Sequence, residues 1–330
     1  MKYRKLGNSE LKVSVIAMGG WSIVGDFTWG AQEAEDSLAA LKAAYECGIN
    51  FFDTAESYGD GYSEQLLGKA LKNVRDKIII ATKVSPANFA PPKLISSCER
   101  SLKNLQTDWI DLYQLHWPDP NFPLLQLLPT LEKLKESGKI RFYGVSNFGC
   151  RNLADYPASH YNIISNQLAY NLLFRAIEYE ILPFCLSHGI SVLCYSPLMQ
   201  GLLTGKFKHP DQVPATRART RHFSPERPYI RHQDPGYEKE TFEAIASIAE
   251  IANNAHLPMA YLALAWLLAQ EGISSVIVGA RTREQIQQLV SANEIVLPEE
   301  IMTALNQATE KLKEKIGPNA DMWQTSSRIS

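Results

Sequence analysis

Four polar residues in the first part of the chain would make a proton-donating device if folding brought them together. Asp53 closes the apolar run INFFDT, Tyr58 follows in the glycine-bearing turn ESYGDGY, Lys83 closes KIIIATK, and His116 stands near the end of WIDLYQLHW. A carboxylate leaving the core needs a partner, and Lys83 can supply it. An ammonium beside the Tyr58 hydroxyl favours the phenolate, because an opposite charge in contact lowers an acid's pKa by roughly 1 to 3 units. This predicts a Tyr58 pKa drawn from about 10 toward neutrality. His116 can donate a hydrogen bond to a substrate oxygen or set its orientation.

Duller or different chemistry is open to the same residues. An Asp–Lys pair can be only structural, and a lone His is often a satisfied core residue. A metal site from Asp53, His116 and Asp111 lacks any HxH, HExxH or paired-Cys spacing. Asp111 also falls on the opposite face of its strand from His116 by the period of two. Lys83 as a Schiff-base nucleophile would give an isomerase or aldolase, but an ionised lysine paired with Asp53 is a poor nucleophile.

The elements that must position these residues alternate. Strand patterns occur at VSVIAM (13 to 18), INFFDT (49 to 54), KIIIATK (77 to 83), WIDLYQLHW (109 to 117), IRFYGVS (140 to 146), NIISNQL (162 to 168), ISVLCYS (190 to 196) and SSVIVGA (274 to 280). Helical patterns intervene at 34 to 48, 63 to 72, 94 to 105, 127 to 138 and 175 to 189. Near-continuous apolar strands, each chased by a helix, imply a parallel sheet covered on its outer face. A single closed (β/α)8 TIM barrel over residues 1–330, preceded by a short N-terminal β-hairpin, is the simplest solution. A doubly wound sheet would carry GxGxxG, which is absent; GGWSIVG (19 to 25) has the wrong spacing.

In such a barrel the chemistry lies at the carboxyl ends of the strands. Polar residues close the apolar runs there: Asp53, Lys83 and His116, then Ser146 with Asn147, Asn166 with Gln167, and Tyr195. The connection after Ser196 is too long for one helix. Its stretch 205 to 232 holds Lys206, Lys208, Arg217, Arg219, Arg221, Arg227 and Arg231 against Asp211 and Glu226. It reads as a solvated polar loop or as a flap closing over phosphates.

Composition narrows the partners. The chain has 330 residues, 45% hydrophobic and 21% charged, with a formal net charge of -2. No basic field recruits nucleic acid, and no stretch approaches eighteen uninterrupted apolar residues, so neither nucleic acid nor membrane is an expected partner. The five cysteines, Cys47, Cys98, Cys150, Cys185 and Cys194, have no CxxC spacing and an odd count, which suits reduced thiols and a cytoplasmic protein.

With these residues in hand, the chain resembles the aldo-keto reductase superfamily along nearly its whole length. FFDTAESYG, ATK, LHW, GVSN and YSPLMQGLLTGKF carry the likeness, and VIVGARTREQIQQL and GPNADMWQTSSRIS are similar to the bacterial branch akin to potassium-channel β-subunits. The resemblance implies Tyr58 as proton donor, Lys83 and Asp53 as its tuning pair, and His116 as the residue orienting the carbonyl. It implies that Gly20, Trp21, Asp53, Ser146, Asn147, Gln167 and Tyr195 surround the nicotinamide, and that Ser196, Pro197, Leu198, Gln200, Gly201 and Lys206 line the pyrophosphate path. Gly279, Arg281 and Gln285 would meet the adenosine end, and Trp21, Tyr58, His116 and Trp117 the substrate. A connection over about 197–235 would cover the cofactor, and a tail over about 314–330 would complete the mouth.

Where the family often has an acid or amide followed by Asn against adenine, this chain has Gln288 and Leu289. Arg281 and Arg283 suit a 2'-phosphate, so NADPH is expected over NADH. The implied reaction is reversible reduction of an aldehyde or ketone, with no metal. The alternative is a dinucleotide-binding redox-sensing or scaffold protein with little turnover.

Overall fold

The computed structural model describes residues 1–154 and 162–330. Two short strands, β1 (Tyr3–Lys5) and β2 (Lys12–Ser14), pair antiparallel as an N-terminal hairpin. Eight more follow: β3 (Ile16–Gly19), β4 (Phe51–Asp53), β5 (Ile79–Val84), β6 (Ile110–Leu115), β7 (Ile140–Ser146), β8 (Ile163–Ala169), β9 (Ser191–Tyr195) and β10 (Ile273–Val278). They close a parallel barrel in chain order, β10 returning to β3. The fold is the (β/α)8 barrel that the alternation implies.

The run VSVIAM is two strands, not one. Ser14 pairs with Tyr3 in the hairpin, whereas Ile16 pairs with Val276 in the barrel. At the join, the Ser14 N–H donates to Asn50 Oδ1 and the Val15 N–H to the Lys2 carbonyl. The backbone there changes partners without leaving a buried donor unmet. The hairpin thereby seals the bottom of the barrel: Leu6, Leu11 and Val13 pack with Phe51, Ala81, Leu112 and Leu193.

That bottom layer fixes what lies above it. Side chains alternate along a strand, so two or four residues beyond an inward apolar residue the chain again points inward. Phe51 leads to Asp53, Ala81 to Lys83, Leu112 to Gln114 and His116, and Leu193 to Tyr195. The outward residues of the same strands, among them Phe52, Ile80, Tyr113 and Val145, join the larger core under the helices. Asp111 faces outward too, bound by Arg75 at 2.7 Å and Arg141 at 3.0 Å, away from Asp53 and His116.

Helices α1 (Ala34–Glu46), α2 (Tyr62–Leu71), α3 (Pro91–Leu105), α4 (Leu124–Glu136) and the short α5 (Cys150–Leu153) follow successive strands. The helix read over 175 to 189 is shorter, a 3-10 turn at Ala176–Glu178 and then α6 (Ile181–Ser187). Pro183 explains the break. In the first turn of α6 its missing N–H is harmless, but a continuous helix would drive its ring into the carbonyl of Tyr179. Then come α7 (Glu238–Asn254), α8 (Met259–Ala269), α9 (Arg283–Val290) and α10 (Glu299–Ile316).

The stretch 205 to 232 is not simply a solvated polar loop. Val213, Ala218, Thr220, His222 and Phe223 are buried. Arg221 pairs with Asp234 and donates to the carbonyls of Ile316 and Asn319, tying the stretch to the end of α10 and the tail. Arg227 pairs with Glu238. Two of the cations that suggested phosphate, Arg221 and Arg227, are thus structural.

Candidate active site

The barrel mouth gathers the four residues. Lys83 Nζ, fully buried, lies 2.6 Å from Asp53 Oδ1, 2.8 Å from the Thr54 carbonyl and 3.3 Å from the Tyr58 hydroxyl. The second Asp53 oxygen accepts from Gln167 Nε2 at 2.7 Å and Gln114 Nε2 at 3.3 Å. Tyr58 is carried on a turn anchored to β5, where Glu56 N–H donates to the Lys83 carbonyl. The turn leaves through Gly59, Asp60 and Gly61, all at positive φ. A side chain on Gly61 would come within 2.4 Å of Asn104 Nδ2, so glycine is required there on both counts. His116 sits edge-on to Tyr58, ring centroids 5.9 Å apart.

The expected acidic Tyr58 is not what this geometry produces. Burial pushes its hydroxyl above the ordinary phenol value; Lys83 pulls the other way, Asp53 offsets part of that pull, and the net is a rise. Desolvation of a phenolate outweighs one already paired cation. Burial also opposes the Lys83 charge, but Asp53 and Tyr58 outweigh it and hold the ammonium above the ordinary lysine value. A charged Lys83 cannot act as a Schiff-base nucleophile. Burial, then Lys83 and Arg328, press His116 well below its usual value, so the imidazole is neutral at neutral pH.

Above these groups opens a cavity of about 810 Å³. Gly20 and Trp21 after β3 line it, with Asp53, Ser146, Asn147, Gln167 and Tyr195 from the neighbouring strand ends. The Tyr195 hydroxyl donates to Asn147 Oδ1 at 2.9 Å, fixing both. Ser196, Pro197, Leu198, Gln200, Gly201 and Lys206 continue one wall, and Gly279, Arg281 and Gln285 close the far end. Tyr58, His116, Trp21 and Trp117 surround the near end. Trp21 stacks toward Tyr58 at 6.3 Å, and the Arg328 guanidinium covers the Trp117 ring at 3.6 Å.

The two arginines read as a 2'-phosphate site are otherwise engaged. Arg283 lies outside the cavity, paired with Glu46 at 2.7 Å. Arg281 reaches the cavity, but its guanidinium donates to Gln32 Oε1, to the Trp29 carbonyl, both at 2.7 Å, and to the carbonyls of Gly30 and Ala31. It clasps the 29–32 loop instead of facing outward.

Arg217, from the basic stretch read as a flap over phosphates, and Trp323, from the tail, also line it. Sequence reasoning did not single out Tyr261, another lining residue, and nothing in the local pattern around it signals that position. Gln288 and Leu289 line it as well, at the positions where the family pattern departs. Gln114 could have been found by counting two residues back from His116.

The cavity suits a dinucleotide. The Gln200 side chain is buried, with neither its nitrogen nor its oxygen partnered. Lys206 and Arg217 are like-charged neighbours: burial and then Arg217 lower Lys206, while burial and then Arg281 lower Arg217. Crowded cations and an orphaned amide are what a bound polyanion would relieve.

Comparison with known proteins agrees. The Aldo/keto reductase family model matches residues 15–310. Aldo-keto reductase YhdN of Bacillus subtilis is 33% identical, over 96% of this chain and 97% of its own. The NADH-specific methylglyoxal reductase of Escherichia coli is 31% identical, over 95% of this chain and 100% of its own. A crystal structure of an aldo-keto reductase from Klebsiella pneumoniae in complex with NADPH superposes with a TM-score of 0.74 at 28% identity, over 100% of this chain and 99% of that one. The chain belongs to the aldo/keto reductase family.

Proposed function

We propose that the protein reduces an aldehyde or ketone to an alcohol with NADPH, Tyr58 supplying the proton. The observation that carries this is the Tyr58 hydroxyl 3.3 Å from an ammonium that is itself held by Asp53, under a cavity and beside His116. When bound, the reduced nicotinamide supplies the hydride that the carbonyl carbon takes up. Tyr58, kept protonated by burial, gives its proton to the carbonyl oxygen. The phenolate left behind is stabilised by Lys83 and recovers a proton from solvent. Neutral His116 orients the oxygen through a ring N–H.

In this reading Ser146, Asn147 and Gln167 hold the carboxamide and Tyr195 offers its ring face to the nicotinamide. Gln200 and Lys206 meet the pyrophosphate, and Trp21 and Trp117 wall the carbonyl compound. With Lys206 on the pyrophosphate that both dinucleotides share, the preference for NADPH rests on Arg217, which lines the same cavity, rather than on Arg281 and Arg283. A 2'-phosphate adds about 1.5 to 2 negative charges, which that further cation favours. The five free cysteines suit a reducing compartment, and we assign the enzyme to the cytoplasm. Among the described residues, no helix is long and apolar enough to cross a membrane.

Tyr58→Phe is the test, with cofactor fluorescence and steady-state turnover read on the same sample. The variant should bind NADPH as the parent does, more tightly than NADH, and lose about 10²- to 10⁴-fold in turnover. Unchanged turnover removes Tyr58 from the chemistry; tighter binding of NADH reverses the cofactor assignment.

A further inference from the structure

Gln114 lies inside the barrel with no exposed surface, one inward position below His116 on β6. It pairs in register with Lys83 on one side and with Gly144 on the other. Its amide nitrogen lies 3.3 Å from Asp53 Oδ2, and its oxygen accepts from Gln167 Nε2 at 3.4 Å. Gln167 Nε2 in turn donates to the same Asp53 oxygen at 2.7 Å. The glycine in register beside Gln114 carries no side chain to fill this space: even a Cβ on Gly144 would come within 2.4 Å of Ser165 Oγ.

We infer that Gln114 is a positioning residue that joins the Asp53–Lys83–Tyr58 proton-donating group to the amide of Gln167. The inference rests on the reading of Tyr58 as proton donor. Two consequences follow from donor and acceptor bookkeeping. A carboxylate only accepts, so Asp53 and the Gln114 oxygen both require the nitrogen of Gln167 to face them. The Gln167 oxygen is therefore left toward the cavity, where it can accept from a carboxamide N–H. Secondly, Asp53 Oδ2 is held by two amide donors, so the carboxylate cannot rotate and Oδ1 stays on Lys83. Lys83 is held in turn where it touches Tyr58. Gln114 reaches no reacting atom itself; it sets the aim of two groups that do.

The experiment compares Gln114→Met, Gln114→Glu and Tyr58→Phe by the pH dependence of kcat and kcat/KM, with NADPH fluorescence and thermal melting as controls. Gln114→Met keeps the volume and removes both hydrogen bonds. Its kcat should fall about 10- to 100-fold, the scale seen when a supporting hydrogen bond behind a reactive group is lost. The alkaline limb should move to higher pH, because an unscreened Asp53 opposes ionisation of Tyr58. Gln114→Glu should behave differently. While the new carboxyl group is protonated it can donate to Asp53 and rescue activity at low pH, and the rescue should fade as it ionises beside a second carboxylate.

Packing alone would not produce a pH-dependent rescue. If Gln114→Met does not fold, the Gln114→Glu profile decides the matter. Parent-like pH profiles in both variants, with Tyr58→Phe inactive, overturn the role of Gln114 and leave the proton donor standing. An active Tyr58→Phe overturns the proton donor instead.

Discussion

Lys83→Met separates what the buried ion pair does for stability from what it does for chemistry. The substitution leaves the Asp53 carboxylate 2% exposed and without its 2.6 Å partner. Breaking a buried pair from one side costs about 3–5 kcal/mol. Gln167 and Gln114 still donate to Asp53 Oδ2, which puts the expected loss at the lower end, about 3 kcal/mol. At roughly 2 °C per kcal/mol for a large domain, Tm should drop about 6 °C. Asp53→Asn combined with Lys83→Met removes the orphaned charge, so most of that loss should return. The Thr54 carbonyl loses a donor in both variants, so its contribution cancels in the comparison. Turnover should not return: without the ammonium Tyr58 gives up its proton less readily by about 1 to 3 pKa units, or about 1.4 to 4 kcal/mol. Urea titration and steady-state reduction of one aldehyde on the three proteins provide the measurement. A double variant as unstable as the single one would show that lost packing, not an unpaired carboxylate, set the cost. A Lys83→Met enzyme with parental turnover would refute the tuning argument.

The pH dependence follows from the directions of two shifts. Tyr58 is the donor while protonated and its pKa lies above the ordinary phenol value, so reduction should hold through neutrality and fall only as pH rises past about 10. His116 is depressed and stays neutral, so no acid limb should appear near the free-histidine value of about 6.5; an inflection there in kcat/KM contradicts the assignment. Arg281→Met should loosen the 29–32 loop and speed NADPH dissociation about 10-fold, since a hydrogen bond to a charged group is worth about 1.5–3 kcal/mol. Stopped-flow displacement measures it, and an unchanged rate would mean that the clasp does not gate the cofactor.

The barrel and the polar cluster at its mouth were legible because both are local. Asp53, Lys83 and His116 each end an apolar strand, and the period of two points them at one mouth once the strands are taken in order. The Tyr58 turn announces itself by Gly59 and Gly61. The interrupted helix at Pro183 was legible too, had the clash with the preceding turn been weighed. The split of VSVIAM was not, because its cause is a change of partner from Tyr3 to Val276, far apart in the chain.

Charge is visible in a sequence, but its surroundings are not, and this explains the remaining errors. Lys83 beside Tyr58 suggested an acidic phenol; burial, which belongs to the assembled barrel, opposes that pull and outweighs it. Arg281 suggested phosphate, but a loop some 250 positions earlier returns to occupy its donors. Arg221 suggested the same, and is spent on Asp234 and on carbonyls at the end of α10. Lys206 and Arg217 differ in that, among the described residues, no acid pairs with them; burial lowers both, and a neighbouring cation adds to it, Arg217 for Lys206 and Arg281 for Arg217. A guanidinium is therefore a phosphate candidate by its lack of carboxylate and carbonyl neighbours rather than by its presence in a basic stretch, and that lack is set by tertiary structure alone.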